Sequence, residues 1–328
     1  MAEVGGYISL ADAKLLTQSE LLAGVVPTIV VTGGLAPQLP IRIISGTSLL
    51  YNRESAIPTG DFKEIAEEWQ ATEDLDLTQV ETALKTYADQ KNLDQFAQHN
   101  YSNINDLMVV LTKETVKGLM RSFEGEVFYH ATFGLHSLVT SGQTVNSGSS
   151  ATGAAAAAGD IMSMIDKVLL GSPSQMCLPM PRQLALRIDQ ANLGGGSTWP
   201  VMMITPGTTE AGGLRLAPVA KSFREVEIVR NNQMTMTETI SSSTYSAKTG
   251  GATGSIFCVY KGQPEEGGVF MGAGAGTSKD LFEVTEPQES EHGNHKFFKT
   301  KAYLAVGMGS PLGLSRLDGN TDAAIVAA

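Results

Sequence analysis

The stretch Asn103–His130, NINDLMVVLTKETVKGLMRSFEGEVFYH, is the part of this sequence on which the fold turns. Ile104, Leu107, Met108, Leu111, Leu119, Met120, Phe123 and Val127 recur at the spacing of one apolar helical stripe. Asn103 is placed to cap the first turn, with Asp106 three residues on. At ~1.5 Å per residue the stretch makes a rod of about 40 Å, weakened locally by Gly118 and Gly125. The other elements of the chain are short. A rod among them supplies a backbone for flanking sheets, and architecture explains it better than chemistry.

On the N-terminal side, Leu39-Pro-Ile-Arg-Ile-Ile-Ser-Gly-Thr-Ser-Leu-Leu-Tyr-Asn-Arg-Glu54 reads as one or two strands. The return is Leu75–Tyr87, where Val80, Thr82, Leu84 and Thr86 alternate with Glu81, Ala83, Lys85 and Tyr87. Together they predict a long hairpin over residues 39–88. Its tip carries Asp61, Glu64, Glu67, Glu68, Glu73, Asp74 and Asp76 against the single basic Lys63. A two-stranded ribbon cannot shield its own apolar face, so it calls for a partner surface. Residues 1–38 contain a short amphipathic piece and then VVPTIVVTGGLAPQLP, whose prolines and glycines prevent a long helix. That is an extended arm, and an apolar arm must lie on something.

On the C-terminal side, His130 and His136 read as capping or packing residues at the end of the rod. Residues 89–151 form one unit with the helix, closed by the Ser/Gly/Thr linker Thr140–Gly153. A second unit, 152–254, opens with the alanine run Ala154–Ala158 leading into a helix through Ile161, Met162, Ile165, Val168 and Leu169. A short strand Gln175–Leu178 follows, then a helix with Pro181 in its first turn and Gly194 at its stop. Phe223–Arg230, Ser255–Lys261, Asp280–Glu286 and Lys296–Val306 read as strands, the last three within the returning segment 255–328. The class is α+β, without an internal repeat.

Composition narrows the function. Charged residues are 17% of the chain, below the usual ~25%, and 35 of 328 residues are glycine, above the usual ~7%. Both suit large contact surfaces. With 23 Lys and Arg against 34 Asp and Glu the net charge is −11, a poor counter-ion for phosphate, so nearby DNA is contained and not gripped. Cys177 and Cys258 lie in apolar stretches and read as buried, reduced thiols of a reducing compartment. The N-terminus lacks the basic-then-apolar pattern of a signal peptide, and no apolar run approaches the ~20 residues that span a bilayer. A soluble protein is expected.

The search for chemistry comes back empty. Gly272–Lys279, GAGAGTSK, looks like a phosphate loop, but Thr277-Ser278 precede Lys279 and the strand-like DLFEVTE follows where a helix is required. A flexible loop is the reading there. His292 and His295 lie close together in a polar segment without a third ligand, so no metal is assigned. Exposed, mutually repelling acids in the hairpin tip do not make a tuned acid/base pair, and no nucleophile sits in an elbow such as G-x-S-x-G. No catalytic, cofactor or metal residue is expected.

Taken in order, these features resemble the major capsid protein of tailed bacteriophages, the fold named after phage Hong Kong 97, a fold shared with encapsulins. SLADAKLLTQSELLAGVVPTIV followed by LPIRIISGTSLLYNRE is similar to the family's N-arm and the ascending strand of its extended loop. VETALKTYADQKNLDQF is similar to the descending strand, Asn103–His130 to the spine helix of the peripheral domain, and Thr152 to about Gly254 to most of the axial α/β domain. KFFKTKAYLAVGMGSPLGLSRLDG is similar to the closing strand and tail. The resemblance implies a non-enzymatic subunit that assembles with copies of itself into pentamers and hexamers of an icosahedral shell, built in the host cytoplasm and found in the virion. It further implies scaffolding, portal and decoration proteins as partners, with DNA held weakly and without sequence specificity. The extended loop is expected to lie over a neighbour, its acidic Asp61, Glu64, Glu67, Glu68 and Glu73, with Lys63 among them, docking near Lys113, Lys117 and Arg121 of an adjacent spine helix. No long charged helical segment precedes the arm, so a separate scaffolding protein is expected, and the Lys-to-Asn cross-link of the type member has no evident place.

The nearest rival is an encapsulin shell, distinguished by protein cargo in place of a genome. An enzyme with an unrecognised Gly-rich site lacks a convergent acid, base, nucleophile or metal set. An adhesin or tail component is disfavoured by the long helix.

Overall fold

The computed structural model describes residues 34–54, 77–95, 107–147, 153–194, 201–203, 220–238, 253–274, 283–285, 288–289 and 295–326. After a 3-10 turn, Ala36–Gln38, come strands β1 (Ile41–Ile44), β2 (Ser48–Glu54), β3 (Leu77–Ala83) and β4 (Lys85–Asp94). The long helix α1 (Leu107–Tyr129) and a single-turn α2 (Leu135–Leu138) follow, then β5 (Thr144–Asn146), β6 (Ala154–Ala157), α3 (Ala158–Asp166), β7 (Met176–Pro181) and α4 (Arg182–Gly194). The rest is strand: β8 (Val201–Met203), β9 (Ala220–Phe223), β10 (Val226–Asn231), β11 (Thr253–Tyr260), β12 (Val269–Gly274), β13 (Glu283–Val284), β14 (Gln288–Glu289), β15 (His295–Met308) and β16 (Leu314–Val326).

The helix forms where the apolar stripe predicted it, and the buried face is narrower than the stripe. Thr115, Leu119, Phe123 and Val127 recur every fourth residue and are buried, with Phe128 beside them, while Met120 is half exposed. Met120 lies one residue, about 100°, round the helix from Leu119, which carries it off the face that meets the sheets. Asn103 and its capping role lie outside the described residues.

An eight-stranded sheet, β5-β16-β11-β7-β10-β9-β8 with β6 also on β16, makes the body. Every residue of β7 and β11 is buried, so alternate side chains serve two different cores. Cys177, Val229, Phe257 and Val259 join Phe123, Val127 and Phe128 of α1 on one side. Leu178, Ile228, Ile256 and Cys258 join Ile161, Met164 and Ile165 of α3 and Leu184 and Ile188 of α4 on the other. Both cysteines are free and buried, and burial pushes the Cys177 thiol up to about 12. A six-stranded sheet is organised on β15: β4 runs antiparallel along one edge from Lys85 to Asp94, and β14, β13 and β12 occupy the other in turn. β1 extends it by a parallel pairing with β12.

Several sequence expectations are corrected. Ala154–Ala157 is a strand parallel to β16, although alanine is the best helix former; pairing with β16 overrides propensity, and Ser147 Oγ donates to the carbonyls of Ala154 and Ala155. The helix after it stops at Asp166, leaving Leu169 70% exposed. The Phe223–Arg230 strand is a hairpin, β9-β10, whose two-residue turn holds Arg224 and Glu225 at φ 47° and 69°. Such turns normally advertise themselves with Asn or Gly, which is why the sequence conceals this one. Gly272, Ala273 and Gly274 are not loop but buried strand β12, where Gly272 lets the Ile44 side chain pack against it. Of Asp280–Glu286 only Glu283–Val284 is strand among the described residues.

Glu124 is the polar joint of the fold. On the buried side of α1 and 5% exposed, it accepts hydrogen bonds from the backbone N–H groups of Leu35 (2.5 Å) and Ala36 (3.1 Å) and from Asn231 Nδ2 (2.6 Å). One carboxylate thereby ties the turn that leads into β1, the long helix and the end of β10. Burial pushes its pKa up, opposed by those three donors. Removing it by Glu124→Ala leaves three buried donors unpaired and is expected to cost about 3 kcal/mol, read as a fall in the urea midpoint. Gly118→Ala has the opposite sign: an added Cβ meets nothing within 4 Å, and the substitution is expected to gain about 1 kcal/mol at an unchanged denaturant slope.

Candidate functional site

No cluster of three or more metal-ligating side chains occurs among the described residues, and no described helix is long and apolar enough to cross a membrane. His295 opens β15 opposite Asp94, while His292 and Lys279 lie outside the described residues. Three exposed surfaces and one buried polar cluster stand out among the described residues.

The first surface is the β2-β3 ladder, seven residues on each strand from Ser48↔Ala83 to Glu54↔Leu77. Alternation gives it two faces. Tyr51 and Arg53 turn toward the body: Tyr51 Oη donates to the Met308 carbonyl at 2.7 Å, and Arg53 donates from Nε to Gly309 O at 2.8 Å and from Nη2 to Met308 O at 2.7 Å. The Tyr51 ring meets Phe270 edge-on at 6.3 Å. Gly307 makes the approach possible, since a Cβ there would stand 2.5 Å from the Phe270 ring and 2.7 Å from Thr82 Oγ1. The expectation that the hairpin lacks cover in its own subunit is therefore corrected at its base. Its donors find the carbonyls of Met308, the last residue of β15, and of Gly309 just after it, over 250 residues away in sequence, a match that no local pattern announces. Leu50, on the other face, is 56% exposed. The flanking residues Ile41–Ile44 and Lys85–Asp94, read as ends of the same hairpin, belong to the six-stranded sheet. The acidic tip, with Asp61, Lys63, Glu64, Glu67, Glu68 and Glu73, lies outside the described residues.

The second surface is the outward side of α1. Lys113, Lys117 and Arg121 follow each other at four-residue spacing, two residues and so about 200° from the buried row of Thr115, Leu119 and Phe123. The fold brings the three together on one stripe, where Lys117 Nζ pairs with Glu114 at 2.8 Å. The third is the edge of the six-stranded sheet. β1 pairs on one side with β12 and has no second strand among the described residues, and Ile41 and Ile43 present exposed side chains there.

Behind these surfaces lies a buried ionic hub that sequence reading missed. Glu238 accepts hydrogen bonds from Tyr129 Oη (2.9 Å) and Ser255 Oγ (2.6 Å), Ser255 Oγ accepts from Arg316 Nε (2.9 Å), and Arg316 Nη2 lies 3.0 Å from Asp318. Arg316 is fully buried. Burial by itself raises the Glu238 pKa, but His136 beside it, the bond from the Ser255 hydroxyl and the Arg316 charge outweigh it and hold the carboxylate below its usual range. Burial and that carboxylate push the Tyr129 hydroxyl up, so it stays protonated and able to donate. His130 behaves as read: Nδ1 accepts from the Thr132 N–H at 3.2 Å, and the ring stacks on Phe133 at 3.6 Å, closing the turn after α1.

No protein-family model matches the sequence, and no curated protein matches it. Solved structures do. The holo-SrpI encapsulin complex of Synechococcus elongatus aligns with TM-score 0.66 at 12% identity, over 98% of this chain and 98% of that one. The capsid of a native GTA particle aligns with TM-score 0.66 at 13% identity, over 94% and 96%. The capsid of Cyanophage P-SCSP1u aligns with TM-score 0.60 at 10% identity, over 96% and 94%. The chain has the α+β Hong Kong 97-like fold.

Arg53→Ala removes both charged donors at the ladder's base and is expected to cost about 2 kcal/mol, seen as a lower urea midpoint. Arg53→Lys restores part of this at most, because a point charge cannot reproduce the fork.

Proposed function

We propose that this chain is the major shell subunit of a tailed-phage head, assembling with its own copies into pentamers and hexamers of an icosahedral shell around double-stranded DNA. The observation that carries the reading is the extent of the likeness: 94% of this chain and 96% of the GTA capsid chain superpose, which leaves little of the molecule for a separate activity. The role is structural and not catalytic, and its place is the virion, after assembly in the host cytoplasm. The net charge of −11 suits a wall that contains DNA without binding it tightly. Scaffolding, portal and decoration proteins complete the set of partners.

Within this reading the acidic loop tip around Asp61, Glu64, Glu67, Glu68 and Glu73 docks on the Lys113, Lys117 and Arg121 stripe of an adjacent subunit. The stripe's four-residue spacing on the outward side of α1 supports this, as does the fact that none of the three side chains is buried among the described residues. A second reading, the wall of a protein-filled compartment, is favoured by the likeness to the Synechococcus elongatus encapsulin.

Electron microscopy of the protein, produced alone and with candidate scaffolding proteins, is expected to show closed icosahedral shells. A chain that stays monomeric under all these conditions overturns the shell reading. Nuclease-protected double-stranded DNA in particles from infected cells supports the phage head, and protein cargo supports the compartment. Glu67→Lys with Glu68→Lys is expected to lower assembly yield. Wild-type assembly should weaken as salt rises beyond about 0.15 M, where the screening length is near 8 Å. Unchanged yield and unchanged salt response would remove the docking assignment and leave the shell intact.

A further inference from the structure

The ring of His136, on the single turn α2, stacks on Tyr129 (centroids 5.0 Å apart, planes at 17°) and stands edge-on to Phe257 (4.9 Å, 85°). Both ring nitrogens are shut away from solvent, and among the described residues neither has a hydrogen-bond partner. Nε2 stops 3.4 Å from Glu238 Oε1. A buried polar group left in that condition costs about 1–3 kcal/mol and asks for a reason.

The charged and titratable groups around it come from four elements: Tyr129 from α1, Glu238 from the segment after β10, Ser255 from β11, and Arg316 with Asp318 from β16. The two carboxylates are already engaged by Arg316, Ser255 and Tyr129. Tyr129 has a second duty, since its hydroxyl accepts the Thr235 N–H at 2.9 Å while donating to Glu238. Thr235 and Glu238 are thus fastened to the end of the long helix through one phenol, while Asn231 is held separately by Glu124, and His136 is the plate stacked against that phenol.

We propose that His136 is an acid-released latch: its neutral ring holds Tyr129 in place against residues 235–238, and protonation sends the ring to solvent and frees those residues from the end of α1. The direction follows from the setting. Burial opposes a charged ring, Arg316 opposes it too, and together they outweigh Glu238 and Asp318, so the imidazole pKa lies below its ordinary value. A ring that refuses the proton when closed and accepts it when open stabilises the latch above the open-state pKa of about 6.5. That stability is lost as the pH falls toward the closed-state value. α2 is only one turn long and the side chain is already 10% exposed, so the path out is short. The latch belongs to a single subunit and stands whether or not the chain builds a shell.

Hydrogen–deuterium exchange of the full chain, followed from about pH 8 to about pH 5 and corrected for intrinsic rates, tests it. Peptides covering Thr235 and Glu238 are expected to lose protection by up to about tenfold per pH unit, the slope of a single proton. β11 should stay flat, and the loss should vanish in His136→Gln. The same loss in His136→Gln, or none in the wild type, overturns the latch. If that variant does not fold, ring C2–H exchange of His136 in the wild type decides: titration in step with the segment's loss supports the latch, and titration without it refutes it.

Discussion

Strands β7 and β11 lie between two apolar cores, one shared with α1, β12 and β15 and the other with α3 and α4, and that double burial is the constraint on which the other arrangements rest. A strand covered on one face alternates apolar and polar residues; one covered on both must be apolar throughout. Met176–Pro181 is apolar throughout and Thr253–Tyr260 nearly so, every residue of both is buried, and the polar Ser255 is satisfied by Glu238 and Arg316. Their odd and even residues then commit to different cores, one completed by α1 and the other by α3 and α4. A slip of one residue in either strand would exchange the two cores, so register here is fixed by packing on both sides at once.

Polar groups trapped by this arrangement have to be satisfied inside it, and they become its joints. Glu124 serves the turn before β1, the helix that carries it and the end of β10. Glu238 and Arg316 do the same between the end of the long helix and the strands β11 and β16. Buried charges of this kind add little net stability, because desolvation offsets their attraction, but breaking one partner leaves the other stranded. They act as registration devices, holding the sheets and the long helix in one relative setting. The outer surfaces, by contrast, retain exposed Leu50, Ile41 and Ile43 and the basic stripe of Lys113, Lys117 and Arg121, in which Lys117 pairs with Glu114.

The long helix and the β2-β3 ladder were legible because each rests on a local period, 3.6 residues in one and two in the other. The β9-β10 turn was not, because Arg224 and Glu225 adopt a left-handed conformation that no glycine or asparagine announces. Nor was the strand at Ala154–Ala157, where pairing with β16 overrides helix propensity. Glu124 did carry a faint sign: it is a carboxylate flanking the most apolar turn of the stripe, between Phe123 and Val127. Arg316 carried none that could be read without its partners, since the groups that neutralise it come from beside it on β16 and from far along the chain.

The sequence by itself determined the element types with strong periodicity, the absence of any recognised catalytic motif, and the low-charge, glycine-rich character of the chain. These follow from side-chain spacing and composition, which need no neighbours to be read. Only the tertiary structure decided which face of each element is spent inside the subunit and which is left for others. Tyr51 and Arg53 turned out to be inward anchors, Lys113, Lys117 and Arg121 an outward stripe, and His136 a buried plate against Tyr129. The physical reason is that hydrogen bonding and burial depend on groups separated by up to about 250 residues, and such distances close only when the chain is folded.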